Sequence, residues 1–265
     1  MRLRDHVRSA LSWLGLLLLA ICFVWLVQQP RPAPRRTTAP RKKPLVQAEK
    51  KLVIVLDPGH GGQDSGAMCG NVLEKDLTLD VARRAEPLLR AAGFTIVPTR
   101  VDDRYVSLTD RASLGNREGN SVFVSIHFND SPREAASGVE TYYSLRQCSR
   151  PGFLWWLPFL DRADSSPLAA ESENLAEALQ TALIAGTSAF NRGIKAEQFY
   201  VLANVQRPAV LIEAGFMTNK DDVAKLENPA YRAQIATAIS DGLEQYRAAL
   251  RRGEPRLAFA APRPE

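Results

Sequence analysis

Residues 52–74 read LVIVLDPGHGGQDSGAMCGNVLE. Leu52 to Leu56 is an unbroken apolar run rich in β-branched residues, which predicts a buried strand. The run breaks at Asp57-Pro58-Gly59-His60-Gly61-Gly62, where proline and the glycines let no regular element continue. Glu74 then opens a helical pattern. In an open α/β sheet, residues just past the carboxyl end of a strand line the ligand crevice. His60 falls at that place.

Two more stretches repeat the pattern. Ser121 to Ile126 (SVFVSI) reads as a second buried strand; it delivers His127 and is followed by Phe128-Asn129-Asp130. Ala209 to Ile212 reads as a third and ends in Glu213-Ala214-Gly215. The chain has three histidines, and His6 lies outside the part expected to be globular. Three strands therefore bring His60, His127 and Glu213 to one rim, with Glu74 joining from the first turn of a helix. Two imidazoles and a carboxylate suit zinc, which at catalytic centres keeps three protein ligands and one open position. Water at that position loses its proton near neutral pH, and a spare carboxylate relays the proton. Two glutamates stand ready for these two tasks. The glycines also invite comparison with a phosphate cradle. Gly59, Gly61, Gly62 and Gly66 do not give the G-x-G-x-x-G spacing, however, and no helix opens directly behind them.

The remaining pattern alternates strands with helices. Glu74 to Ala91 carries an apolar face through Leu77, Val81, Leu88 and Leu89, and Pro87 is expected to spoil or kink its last turn. Phe94 to Val97 reads as a strand. Ser107-Leu108-Thr109-Asp110 has the form of a helix start. Gly138 to Ser144 reads as a strand and Ser166 to Ala185 as a helix. Gln198 to Leu202 reads as a short strand, and Pro229 to Leu250 as a final amphipathic helix. Such alternation predicts one layered α/β domain over 52–250, with a mostly parallel mixed sheet flanked by helices.

Five segments together resemble a family: LDPGHGGQDSGA, EKDLTLDVARR, TRVDDRYVSLTDRASLGN, VFVSIHFND and PAVLIEAGFMTN. In order and without large gaps, from about Leu52 to Leu250, they look like the zinc-dependent N-acetylmuramoyl-L-alanine amidases of the cell-wall type. The resemblance implies zinc ligands at His60, Glu74 and His127 and a catalytic glutamate at Glu213. It implies peptidoglycan as substrate, cut between N-acetylmuramic acid and L-alanine. Ile212 and Ala214, which flank the catalytic position, are mild departures. Asp57 is expected either to orient His60 from behind or to cap the turn. Asn129 is expected to serve a turn rather than the substrate. Two other readings compete: a wall-binding or activator module that has lost catalysis, and a zinc hydrolase of another amide. All four functional positions are filled, which disfavours the first.

The ends of the chain differ from its middle. Up to Lys51 there are 11 Lys+Arg against 2 Asp+Glu, which leaves 23 against 27 for the rest. The formal charge of +5 thus belongs to the arm, and the domain lacks the basic surface of a nucleic-acid binder. Leu11 to Val27 is 17 residues without a charge, at the lower limit for crossing a bilayer core of ~30 Å. No small-x-small cleavage site closes it, and Trp25 sits near its end, so residues 1–28 read as an uncleaved membrane anchor, with a cleaved signal segment as the alternative. More Lys and Arg follow this run than precede it, against the usual orientation rule. An enzyme acting on peptidoglycan requires the domain outside the cytoplasm, in the periplasm or cell envelope. Residues 29–51 form a Pro/Arg-rich linker that, at ~3.1 Å per residue, reaches up to about 70 Å. The Pro- and Arg-rich tail, 251–265, is expected to be disordered.

Cys22 lies in the apolar run, which leaves Cys69 and Cys148; free thiols are expected. Leu145 to Pro167 interrupts the domain pattern with Phe153-Leu154-Trp155-Trp156-Leu157-Pro158-Phe159-Leu160. It reads as a loop packed on the domain or as a regulatory element. In the second case it covers the site or docks an activator protein through Trp155 and Trp156.

Overall fold

The computed structural model describes residues 51–146 and 167–253. The N-terminal segment, nearly all of the linker, Cys148, Trp155, Trp156 and residues 254–265 lie outside the described residues. No helix among the described residues is long and apolar enough to cross a membrane.

Among the described residues, eight strands and six helices follow one another: β1 (Val53–Pro58), β2 (Met68–Cys69), β3 (Val72–Leu73), α1 (Glu74–Ala91), β4 (Thr95–Pro98), α2 (Leu108–Arg117), β5 (Ser121–Asn129), β6 (Val139–Tyr143), α3 (Pro167–Thr187), β7 (Asn191–Ala196), α4 (Tyr200–Asn204), β8 (Ala209–Phe216), α5 (Lys220–Glu227) and α6 (Pro229–Arg252). Six strands form one sheet in the order β4-β1-β5-β8-β6-β7. Within this sheet only β6 against β8 is antiparallel, and β2 and β3 form a separate antiparallel pair. The expected mixed, mostly parallel α/β layer is therefore the observed one.

Both faces of the sheet are covered, which explains why its central strands read as continuous apolar runs. The two-residue period separates the faces. Ile54, Leu56, Val122, Val124, Ile126, Val210 and Ile212 pack with Leu77 and Val81 of α1, Leu175 and Leu179 of α3, and Ile235 and Ile239 of α6. Val55, Phe123, Ala209 and Leu211 face the other way, onto Ala112 of α2 and Val201 and Leu202 of α4.

Caps fix the helix starts. Ser107 Oγ accepts from the Asp110 N–H and donates to Asp110 Oδ2, which realises the capping pattern read at that point. Asn219 and Asn228 cap α5 and α6, and Gly253 closes α6 in the left-handed conformation. The final helix thus runs past Arg251, where the tail was expected to begin.

Three expectations need correction, and one strand was not anticipated. Helix α1 continues through Pro87 to Ala91; Pro87 lies on the exposed side, so the carbonyl it leaves unbonded faces water. Leu88 is likewise exposed and only Leu89 serves the core. Gln198 to Leu202 is not a strand, since Tyr200 to Asn204 form the short helix α4. The edge strand is β7, whose sequence NRGIKA carries no apolar alternation.

Helices α3 and α6 approach at Gly242. A Cβ there would stand 2.9 Å from Leu179 Cα and 3.1 Å from the Ala178 carbonyl. Gly242→Ala should therefore lower the urea midpoint, because separating two packed backbones costs about 1–3 kcal/mol, more than the ~1 kcal/mol of helix propensity gained. A midpoint equal to or above that of the parent would mean that the helices part at no cost.

Candidate metal centre and catalytic cleft

His60 follows β1 in a left-handed backbone conformation (φ 60) that non-glycine residues seldom adopt. The turn is held by reciprocal Gly61 and Asp64 backbone bonds of 2.9 and 3.2 Å. Nδ1 of His60 lies 2.9 Å from Asp64 Oδ2, and Asp64 Oδ1 accepts from the Gly66 N–H at 3.1 Å. On the other side of the ring, Nε2 lies 3.1 Å from Glu74 Oε2. Glu74 reaches His127 with its second oxygen, Oε1 to Nδ1, at 2.9 Å. Its carboxylate is further fixed by the backbone N–H groups of Ala67 (2.8 Å) and Phe128 (3.0 Å). One ligand atom from each of His60, Glu74 and His127 lies within 4.8 Å of the others.

Two glycines make room for this cluster. A Cβ on Gly59 would strike the His127 ring at 2.3 Å, and one on Gly66 would strike Glu74 Oε2 at 2.4 Å. The glycines of the turn thus seat imidazoles and a carboxylate rather than phosphate.

The sequence reading placed His127 and Glu213 just beyond their strands. Both lie within them, directly opposite each other in the β5–β8 register. The register slips immediately afterwards, between His127 and Asn129, and such an irregularity re-aims side chains. Glu213 lines the same cleft as the three candidate ligands. Its Oε2 is buried and has no hydrogen-bond partner among the described residues.

The charges differ sharply across a few ångströms. Burial alone would raise the Glu74 carboxyl, but the hydrogen bonds and charges of His127 and His60 outweigh it and hold the group well below the usual carboxylate range. Burial lowers His60, yet Glu74 and Asp64 more than offset this and raise it overall. Glu213 is pushed well above the usual range by burial and then by the like charges of Glu74 and Glu140. Two carboxyl groups shifted in opposite directions therefore line one cleft.

Asp57 does not orient His60. Its Oδ1 accepts from Thr99 Oγ1 and Arg111 Nη1, both at 2.6 Å, and its Oδ2 from Ser125 Oγ at 2.7 Å. Asp64 occupies the role that the sequence reading offered to Asp57. Asn129 serves no turn either: it sits in β5 and donates to Glu140 Oε1 at 2.7 Å. Cys69 carries a free thiol.

Sequence reasoning missed Glu140, which lies opposite Glu213 in the β6–β8 register. Arg192 Nε, at 2.7 Å, and Lys195 Nζ, at 2.5 Å, hold its Oε2. It also missed the apolar wall of the cleft, made by Tyr105, Leu108, Phe199 and Tyr200, all exposed. The signal for Glu140 was present, as an acidic residue inside the predicted strand GVETYYS.

A family model described as N-acetylmuramoyl-L-alanine amidase matches residues 54–245. The chain belongs to this amidase family. Among relatives of the family, the N-acetylmuramoyl-L-alanine amidase LytC of Bacillus subtilis is 36% identical over 193 residues, 73% of this chain and 35% of LytC. The chain thus spans about a third of LytC's length. An N-acetylmuramoyl-L-alanine amidase of Clostridium difficile 630 superposes with a TM-score of 0.64 at 32% identity, over 75% of this chain and 98% of that one. The CwlD amidase of Clostridioides difficile, solved in complex with the GerS lipoprotein, gives 0.63 at 26% identity, over 76% and 100%.

The residues of the cluster have the chemistry to hold a metal ion. Two imidazole nitrogens and a carboxylate converge without a cationic side chain among them, which is the donor set of catalytic zinc. Asp64 behind His60 is the carboxylate–histidine arrangement that orients metal-bound imidazoles.

Proposed function

We propose that this chain is a zinc-dependent amidase that hydrolyses the bond between the lactyl group of N-acetylmuramic acid and L-alanine in peptidoglycan. The observation that carries this reading is the unpartnered, buried Oε2 of Glu213 beside the His60, Glu74 and His127 cluster. His60, Glu74 and His127 would hold the ion. Zinc, when bound, supplies a Lewis acid that acidifies water and polarises the scissile carbonyl.

The remaining work falls to the chain. Glu213 accepts the proton of the attacking water and passes it to the leaving nitrogen of L-alanine. Its buried, acid-rich surroundings favour that protonated intermediate state. Asp64 keeps the His60 ring turned toward the cluster. The wall of Tyr105, Leu108, Phe199 and Tyr200 gives the substrate an apolar seat on one side of the reacting bond.

The substrate places the domain outside the cytoplasm, tethered to the membrane through the Leu11–Val27 run and the linker. CwlD bound to a lipoprotein supports a protein activator in the envelope for this chain too. Remodelling of the wall or separation of cells is the purpose that fits such a tethered hydrolase.

Removal of metal tests the reading. Dialysis of the purified chain against a strong chelator should abolish release of peptide from peptidoglycan, and one equivalent of zinc should restore it. Full activity in the metal-free protein would overturn the zinc assignment.

A further inference from the structure

Arg100 is 1% exposed. The charges of Asp103, Asp57 and Asp76 act on it, and its hydrogen bonds among the described residues go to carbonyls and a hydroxyl rather than to a carboxylate. Burying a guanidinium is costly unless its donors are satisfied. The bonds of Arg100 converge on the metal turn. Its Nε donates to the Pro58 carbonyl at 3.0 Å. Its Nη2 donates to the Gly59 carbonyl at 2.7 Å, the Lys75 carbonyl at 2.8 Å and Thr78 Oγ1 at 3.0 Å. Its Nη1 donates to the Asp102 carbonyl at 3.0 Å.

Gly59 immediately precedes His60, and Lys75 immediately follows Glu74. One nitrogen therefore bonds the backbone beside two candidate ligands that belong to different elements, the β1–α1 turn and the first turn of α1. Thr78 completes the link, since its hydroxyl lies within hydrogen-bond distance of the Gly59 carbonyl at 2.9 Å. Arg111, also buried, takes the carbonyls on either side, Pro58 at 2.8 Å and His60 at 2.6 Å. The Arg111 bond holds the carbonyl of His60 itself, and the Arg100 bonds join the carbonyls of the residues beside His60 and Glu74. Gly61 sits tightly in this region, since a Cβ there would meet the Arg104 carbonyl at 2.2 Å and Arg100 Cδ at 3.0 Å.

We infer that Arg100 is a positioning residue of the metal site, fixing the separation of His60 and Glu74 and through it the affinity for metal without touching the ion. The inference rests on the zinc reading above. Carbonyl-directed hydrogen bonds can hold two backbones to within a few tenths of an ångström, and groups behind metal ligands change affinity when they are lost. Arginine suits the task better than lysine, because its planar fork serves several acceptors at fixed angles.

The test is zinc affinity of the full-length chain by competition with a chromogenic chelator, beside the urea midpoint of the metal-free protein. Thr78→Val removes one hydroxyl at nearly constant volume and keeps the arginine, so a folded protein is expected. It should weaken zinc about 10-fold, and Arg100→Gln about 100-fold. Arg100→Lys should fall between the parent and Arg100→Gln, as one donor group replaces three. A lowered urea midpoint with parental zinc affinity in Thr78→Val and Arg100→Lys would overturn the inference and leave the arginine a purely structural residue. A parent chain that binds no zinc would overturn the metal reading as well, so the two failures are distinct.

Discussion

His127→Ala is expected to yield a folded chain with neither stoichiometric zinc nor hydrolase activity. The ring contributes Nδ1, 2.9 Å from Glu74 Oε1, and rests on Gly59. Its removal leaves His60 and Glu74, one donor short of the three that a catalytic zinc site uses. The imidazole belongs to neither apolar cluster of the core, so the sheet keeps its packing. His60→Ala should behave alike and should also free Asp64 from its imidazole contact. Elemental analysis of the purified variants, with circular dichroism to verify the fold, decides the matter. One zinc per chain in both variants would place the metal elsewhere.

The three strands that carry His60, His127 and Glu213 were legible because each is buried on both faces and so reads as an apolar run ending in polar residues. Glu74 was legible as the first residue of a periodic helix. The edge of the sheet was not. Strand β7 pairs only with β6, and Asn191-Arg192-Gly193 offers no buried face to announce it. Phe199-Tyr200-Val201-Leu202 has the composition of a strand, yet Phe199 only caps helix α4 and the other three residues begin it. Val201 and Leu202 there pack into the smaller cluster, with Leu211 and Val55, and Asn204 Nδ2 donates to the Tyr200 carbonyl. Packing against the sheet overrode local preference.

The supporting residues of the site were hidden for a different reason. Asp57 was the acidic neighbour nearest in sequence to His60, but its side chain points into a buried pair with Arg111, 54 residues away. Asp64 reaches the ring only because the glycine turn folds back on itself. Arg100 bonds carbonyls 41 and 25 residues away, and nothing in its own neighbourhood hints at that. Contacts of this range are products of the tertiary fold, whereas His60, His127 and Glu213 stand where an apolar run gives way to polar residues.

Glu213→Gln should lower turnover by about 10²–10⁴-fold, the usual contribution of a positioned proton-transfer group, while one zinc per chain stays bound. Glutamine keeps the volume and one oxygen but cannot take up a proton. The backbone of β8 pairs with both neighbours irrespective of this side chain, so no loss of fold is expected. The most direct measurement is product analysis of purified peptidoglycan treated with zinc-loaded parent and Glu213→Gln chains. The parent should release stem peptides whose new amino groups all belong to L-alanine and leave glycan strands uncut, and the variant should release almost none. New amino groups on another residue, new reducing ends in the glycan, or equal release by the variant would contradict the account.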